Sequence, residues 1–73
     1  MQRIIYLDME IGYKYADIKN QQELSKKQLE IEKRGYYVVC VLDLASETVI
    51  QKCDSFSAHA GFIKNCYPNT ILD

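Results

Sequence analysis

The chain has 73 residues, a length that predicts one small domain over residues 1–73 with a thin hydrophobic core. Its apolar content of 48% and charged content of 26% argue against disorder, and its net charge of −1 gives no basic field that would attract nucleic acid or anionic lipid. The only apolar run near the start, residues 4–7, is too short for a signal peptide or a membrane span. We therefore expect a cytoplasmic protein that does not contact a membrane.

The first part of the chain predicts β structure. Apolar and polar side chains alternate through residues 3–11, which is the period of a half-buried strand. Gly12 then permits a turn. Residues 13–19 fit either a second short strand or an early helical turn, and the alternation of Tyr13 and Tyr15 favours the strand.

A helix is predicted after residue 20. Asn20 and Glu23 have the spacing of a capping box, and Gly35 is suited to close the helix because glycine adopts a positive φ without strain. Leu24 and Ile31 share one face of this helix, and most of its other positions are polar or charged. We expect a surface helix that packs on the sheet along one narrow seam.

The second half of the chain repeats the alternation of strands and a helix. Residues 36–44 are apolar on both faces, which predicts a central strand covered on at least one side, and residues 36–53 as a whole predict a hairpin. One of the polar residues of 54–57 is expected to cap a second helix that Pro68 ends. Residues 70–72 are predicted to add a last short strand.

The order strand, helix, strand, strand, helix, strand resembles that of the ferredoxin-like fold. The resemblance implies an α+β domain in which both helices cover one face of an antiparallel sheet. We expect three to five strands in the ferredoxin-like order, or a variant with an extra N-terminal hairpin if residues 13–19 form a strand.

The three cysteines, Cys40, Cys53 and Cys66, are odd in number and have no short C-x-x-C spacing. Each lies in an apolar stretch, and we expect reduced thiols in the core, with a disulfide as the alternative. Cys53, His59 and Cys66 together could in principle bind a metal, but they lack the paired spacing of a zinc site. No metal or cofactor is expected.

Residues 4–7 followed by Asp8-x-Glu10 resemble the first metal-binding motif of the proofreading-type 3′–5′ exonucleases. The resemblance implies that Asp8 and Glu10 hold divalent metal ions, with Asp43 as a conceivable third carboxylate. The chain is much shorter than that fold and lacks its downstream histidine or tyrosine and aspartate motifs. The alternative interpretation is that Asp8 and Glu10 form the solvent face of a strand, and we expect no enzymatic activity.

Residues 5–7 and 34–39 resemble the two aromatic strand motifs of RNA-recognition domains. The resemblance implies a single-stranded nucleic-acid binder that stacks bases on the tyrosines of the sheet. Residues 34–39 depart from the pattern because Tyr37 replaces a small residue and valines replace later aromatic residues. Asp8 and Glu10 would also repel phosphate beside such a platform.

Six tyrosines are the remaining signal, because a thin core cannot bury all of them and tyrosine is frequent in protein interfaces. We predict a small protein-binding domain that also forms homodimers, and size and character suggest a phage or mobile-element accessory protein that inhibits a host defence protein, as anti-CRISPR proteins do. The alternative is that the tyrosines line the rim of the core. The predicted interface residues are Tyr13, Lys14, Tyr15, Tyr36 and Tyr37.

Overall fold

The computed structural model describes residues 1–70. The elements in chain order are β1 (Gln2–Asp8), β2 (Gly12–Ile18), α1 (Gln21–Lys33), β3 (Tyr37–Asp43), β4 (Thr48–Lys52) and α2 (Phe56–Cys66). The strands form one antiparallel sheet in the order β2-β1-β3-β4. The predicted α+β class and antiparallel sheet are confirmed. The order of elements through residue 70 is two hairpins, each followed by a helix. It therefore contains the extra N-terminal hairpin of the predicted variant and differs from the ferredoxin-like order itself.

The first hairpin differs in its boundaries from the prediction. The predicted strand 3–11 ends at Asp8, and residues 9–11 form the turn that leads to β2. The strand interpretation of residues 13–19 is confirmed, because β2 pairs along its whole length with β1. The apolar alternation continued past the true end of the strand because Met9 and Ile11 are apolar although they belong to the turn.

Local signals placed both helices correctly. Asn20 Oδ1 accepts the N–H of Glu23 at 2.9 Å, and the carboxylate of Glu23 accepts the N–H of Lys19 at 3.2 Å, so polar side chains bond main-chain donors at the start of α1. Gly35 follows α1 with a φ of +85°, as its role in closing the helix requires. α2 begins after Ser55, within the predicted 54–57 segment, but the Ser55 side chain makes no capping hydrogen bond and bonds instead to the hydroxyl of Tyr37. The strand predicted at residues 70–72 falls largely outside the described residues.

A β-bulge shapes the centre of the sheet. Ile5 pairs with Cys40 while the next residue of β1, Tyr6, pairs with Val38, so that Val39 is an extra residue on β3. The consequence is that Val39 and Cys40 both contact the same core cluster, although neighbouring side chains normally point to opposite faces of a sheet.

The two helices cover opposite faces of the sheet, which corrects the prediction that both lie on one face. α1 packs on a cluster made by Ile4, Ile18, Leu24, Ile31 and Val41. α2 packs on a second cluster made by Ile5, Val39, Cys40, Leu42, Phe56 and Ile63. The physical reason is that β1 and β3 are apolar on both faces, so one helical layer would leave the other face in water.

Candidate functional site

The turn between β1 and β2 presents two apolar side chains to solvent. Met9 is 84% exposed and Ile11 is 71% exposed. The turn itself is held from inside, because Oδ1 of the buried Asp8 accepts the backbone N–H of Glu10 at 2.9 Å and that of Ile11 at 3.4 Å. Gly12, with a φ of +116°, completes the turn. The structure therefore displays Met9 and Ile11 on a constrained loop, and neither contributes to the core clusters.

Tyr13 and Tyr37 lie at the same end of the sheet as the turn, on the face that α2 covers. Both pair across the sheet with Leu7, one residue before the end of β1. Tyr13 is half-buried and stacks on Phe62 with ring centroids 3.7 Å apart. Its hydroxyl lies 2.7 Å from Nδ1 of His59 on α2. Tyr37 is 41% exposed; its hydroxyl bonds to that of Ser55, the residue before α2, and its ring centroid lies 6.3 Å from that of His59. Tyr37 is thus the accessible tyrosine of this pair.

The second pair of predicted interface residues, Lys14 and Tyr36, lies on the face that α1 covers. The ammonium group of Lys14 is 5.7 Å from the centroid of the Tyr36 ring and 3.6 Å from Oδ2 of Asp8. The Tyr36 ring in turn lies 5.4 Å from that of Tyr6. These contacts direct Lys14 toward its own sheet, where it packs on an aromatic ring and neutralises a carboxylate.

Tyr15 occupies a separate position in the middle of β2. Its side chain is 59% exposed, and the guanidinium of Arg3 lies 4.1 Å from the centroid of its ring. Arg3 also binds both oxygens of the Asp17 carboxylate, at 2.6 and 3.0 Å. These hydrogen bonds from Arg3 lower the pKa of Asp17 below its ordinary value of 3.8.

The five predicted interface residues therefore do not form one surface. Tyr13, Tyr15 and Tyr37 face the α2 side, while Lys14 and Tyr36 face the α1 side. Sequence reasoning missed Met9 and Ile11 because it placed them in the first strand. The sequence did contain a signal: Gly12 marks the end of a turn, and Met9 and Ile11 before it are apolar where turns usually carry glycine, asparagine, aspartate, serine or proline.

The carboxylates of the exonuclease-like motif are not assembled as a metal site. The Asp8 carboxylate accepts main-chain hydrogen bonds from the turn. The bond from the N–H of Glu10 lowers the pKa of the Asp8 carboxyl below its ordinary value of 3.8. Asp43 pairs with Gln2 at the far end of β1, about 20 Å away at roughly 3.3 Å per strand residue. Within residues 1–70, no three histidine, cysteine, aspartate or glutamate side chains are grouped closely enough to hold a metal ion.

The three thiols are free and differ in burial. Cys40 is a core residue, as predicted, and burial raises the pKa of its thiol to about 12. Cys53 is half-buried, and Cys66 is exposed on α2, so the prediction of a core position is wrong for Cys66. α2 is amphipathic, and Cys66 lies on its solvent side.

The tyrosines of the RNA-recognition-like motifs are divided between the two faces of the sheet. Tyr6 and Tyr36 lie together on the α1 side, with ring centroids 5.4 Å apart, and Tyr37 lies on the α2 side. Base-stacking platforms of that class use an open sheet face, whereas a helix packs on each face here. The fold therefore offers no argument for stacked bases on the sheet.

A groove of about 360 Å³ borders Tyr37. β4 ends at Lys52 opposite Cys40, so the first residues of β3 extend beyond it and form the floor of the groove. Gln28 and Glu32 of α1 form part of one wall. The groove makes the surface beside Tyr37 concave.

Comparison with models of known protein families gives no match, and curated proteins and solved structures give none either. Among the helices of residues 1–70, neither has the length and apolar content needed to cross a membrane. The exposed surface of the fold itself is therefore the guide to function.

Proposed function

We propose that this protein binds another protein through the end of the sheet that carries the β1–β2 turn. The surface consists of Met9, Ile11 and Tyr37 and is called the turn surface below. The observation that carries the proposal is the exposure of Met9 and Ile11, at 84% and 71%, on a turn that Asp8 holds in place. Isolated exposed apolar residues are ordinary, but two in a three-residue turn are not required by the fold.

The energetics of such a turn suit an interface anchor. Complete burial of a methionine or isoleucine side chain contributes about 1.5–3 kcal/mol, so the two together could supply a substantial part of a binding free energy. The Asp8 hydrogen bonds restrict the turn before binding, which reduces the conformational entropy lost on association. Tyr37 adds an aromatic side chain with a polar end, the type enriched in protein interfaces.

The charges around the turn surface favour a protein partner over a nucleic acid. Glu10 lies in the turn between the two apolar residues, and Asp54 lies in the loop after β4 at the same end of the sheet. Exposed carboxylates repel phosphate, and the net charge of −1 provides no compensating field. An inhibitor of a host defence protein is a narrower form of this proposal that rests on the size and charge of the chain alone.

The test is affinity capture from lysate followed by mass spectrometry, with wild type compared to the double variant Met9→Ser, Ile11→Ser. The matched control is Leu29→Ser, because Leu29 is also a large exposed apolar residue, at 57%, but lies on α1. We expect a partner that wild type and the Leu29 variant retain and the double variant loses. Recovered partners should then be confirmed by titration of the purified pair.

The result that would overturn the proposal is a partner retained equally by all three proteins, or no partner at all. Circular dichroism and urea unfolding of the double variant check that it is folded. Both substitutions lie in a solvent-exposed turn, so we expect the free energy of unfolding to change by no more than about 0.5 kcal/mol.

A further inference from the structure

The two edge strands of the sheet differ in how well they are protected from pairing with another strand. β4 has five residues, an extra residue at Ile50 that interrupts its register with β3, and an exposed Lys52 at its end. Short length, a bulge and an exposed lysine are the usual features that prevent an edge strand from pairing with a strand of another molecule. β2 has seven residues, pairs with β1 in uninterrupted register and contains neither bulge nor proline.

The charged residues of β2 do not protect its edge. Lys14 is directed toward β1, where it reaches Asp8, and Asp17 is bound by Arg3, which is also on β1. Within residues 1–70, no main-chain hydrogen bond joins β2 to any element other than β1. β2 thus presents a regular row of main-chain donors and acceptors along its outer side.

We propose that β2 pairs with β2 of a second copy of this chain, antiparallel and about a two-fold axis, to form a continuous eight-stranded sheet. A second copy fits this edge because the strand is complementary to itself. In a two-fold antiparallel pair, one residue lies opposite its own copy and the remaining residues pair symmetrically on either side of it.

Only one register uses the whole strand without opposing like charges. A pair centred on Lys14 or on Asp17 places each charge opposite its copy, which is destabilising. A pair centred on Ala16 uses only the five residues 14–18 of the seven in β2. A pair centred on Tyr15 uses all seven.

In the register centred on Tyr15, Lys14 lies opposite Ala16 of the partner copy and Tyr13 lies opposite its Asp17. Each Asp17 keeps the Arg3 guanidinium of its own chain, so the carboxylate is not left without a cation. The two Tyr15 rings meet at the axis on the α2 side of the sheet. An aromatic pair at that position would bury the ring that is 59% exposed in the single chain.

The dimer is independent of the proposed function. The turn surface lies at the Gly12 end of β2, so antiparallel pairing places the two turns at opposite ends of the joined sheet and leaves both accessible. One dimer would then present two turn surfaces. The experiments below alter β2 and leave Met9 and Ile11 unchanged. A failure of the dimer proposal can therefore be distinguished from a failure of the proposed partner binding.

The first experiment is sedimentation velocity of the full chain over a series from about 10 μM to about 1 mM, a range that covers weak homodimers. We expect wild type to approach twice the monomer mass, and Tyr15→Asp to raise the dissociation constant at least about tenfold because two carboxylates meet at the axis. The matched control is Ile50→Asp, which places the same charge at an exposed position of the other edge strand, β4. This variant should dimerise as wild type does.

The second experiment tests the register itself. Because residue 15 lies opposite its own copy, a mixture of Tyr15→Asp and Tyr15→Lys should form a heterodimer although each variant alone is monomeric. A wild-type monomer at the highest concentration overturns the proposal. A Tyr15→Asp variant that dimerises as tightly as wild type also overturns it, because the interface would then lie elsewhere. An equimolar mixture of the two variants that stays monomeric, while both show native circular dichroism, overturns it as well.

Discussion

Asp8 and Asp43 perform the same structural task at opposite ends of the sheet. Each is the last residue of its strand, and each accepts two main-chain N–H groups from the turn that follows: Asp8 from Glu10 and Ile11, Asp43 from Ala45 and Ser46. Both hairpins are therefore closed by an aspartate that folds back on its own turn. Two of the three carboxylates that suggested a metal site in the sequence, those of Asp8 and Asp43, are used to build the two turns.

The role of Asp8 predicts a pH dependence of stability. Its pKa is lowered in the folded protein, so its stabilising effect is complete above the ordinary value of 3.8 and is lost as the pH falls below it. Asp8→Asn keeps an acceptor oxygen but removes the charge. We expect the variant to be less stable than wild type at pH 7, with the difference in free energy of unfolding decreasing below about pH 4.

The measurement is urea unfolding of wild type and Asp8→Asn at a series of pH values. Asp8→Ala serves as the companion variant because it removes the acceptor as well as the charge, and it should be the least stable of the three at neutral pH. A difference between wild type and Asp8→Asn that stays constant from pH 7 to pH 3 would contradict the assigned role of the charge.

The hydrogen bond between Tyr13 and His59 links β2 to α2 and predicts an energetic coupling. Tyr13→Phe retains the ring that stacks on Phe62 but removes the hydroxyl 2.7 Å from Nδ1 of His59. A double-mutant cycle with His59→Leu should give a coupling free energy of about 1 kcal/mol, as for a single hydrogen bond between partly buried groups. Additive effects in thermal or urea unfolding would show that the two side chains do not interact in solution.

Two neighbouring residues of α1 provide a test of which face is buried. Ile31 is 4% exposed and packs against the sheet, whereas Leu29 is 57% exposed. Ile31→Ala should lower the free energy of unfolding by about 2–4 kcal/mol because it leaves a cavity under the helix. Leu29→Ala should change it by no more than about 0.5 kcal/mol. Similar losses for both variants in urea titrations would contradict the placement of α1.

The three cysteines are expected to react in order of their exposure. Cys66 is exposed, Cys53 is half-buried and Cys40 is buried with a pKa raised to about 12. At pH 8 a thiol of that pKa is ionised to only about one part in ten thousand, and burial also blocks access of the reagent. Native labelling with a maleimide, followed by peptide mass spectrometry, should modify Cys66 first and Cys40 only in urea. Early modification of Cys40 would show that the core opens readily.

The presence of the helices and hairpins was predicted well, whereas the end of the first strand and the arrangement of the helices on the sheet were not. The ends of α1 are set by residues that act on the main chain a few positions away: Asn20 and Glu23 at its start and Gly35 at its end. Such short-range signals can be recognised in a single sequence. The end of β1 was misplaced because Asp8 closes a turn whose apolar residues continue the strand pattern. Of the turn surface, only Tyr37 was anticipated, since exposure of Met9 and Ile11 follows from where the strand stops.

The amino-acid sequence by itself determined the α+β class, the two helices and the second hairpin, because period, caps and turn residues act over short distances along the chain. Only the tertiary structure decided that the helices cover opposite faces, that the predicted interface residues are divided between those faces, and that β2 is the unprotected edge. These features depend on the register between distant strands and on the bulges at Val39 and Ile50, which are set by non-local packing.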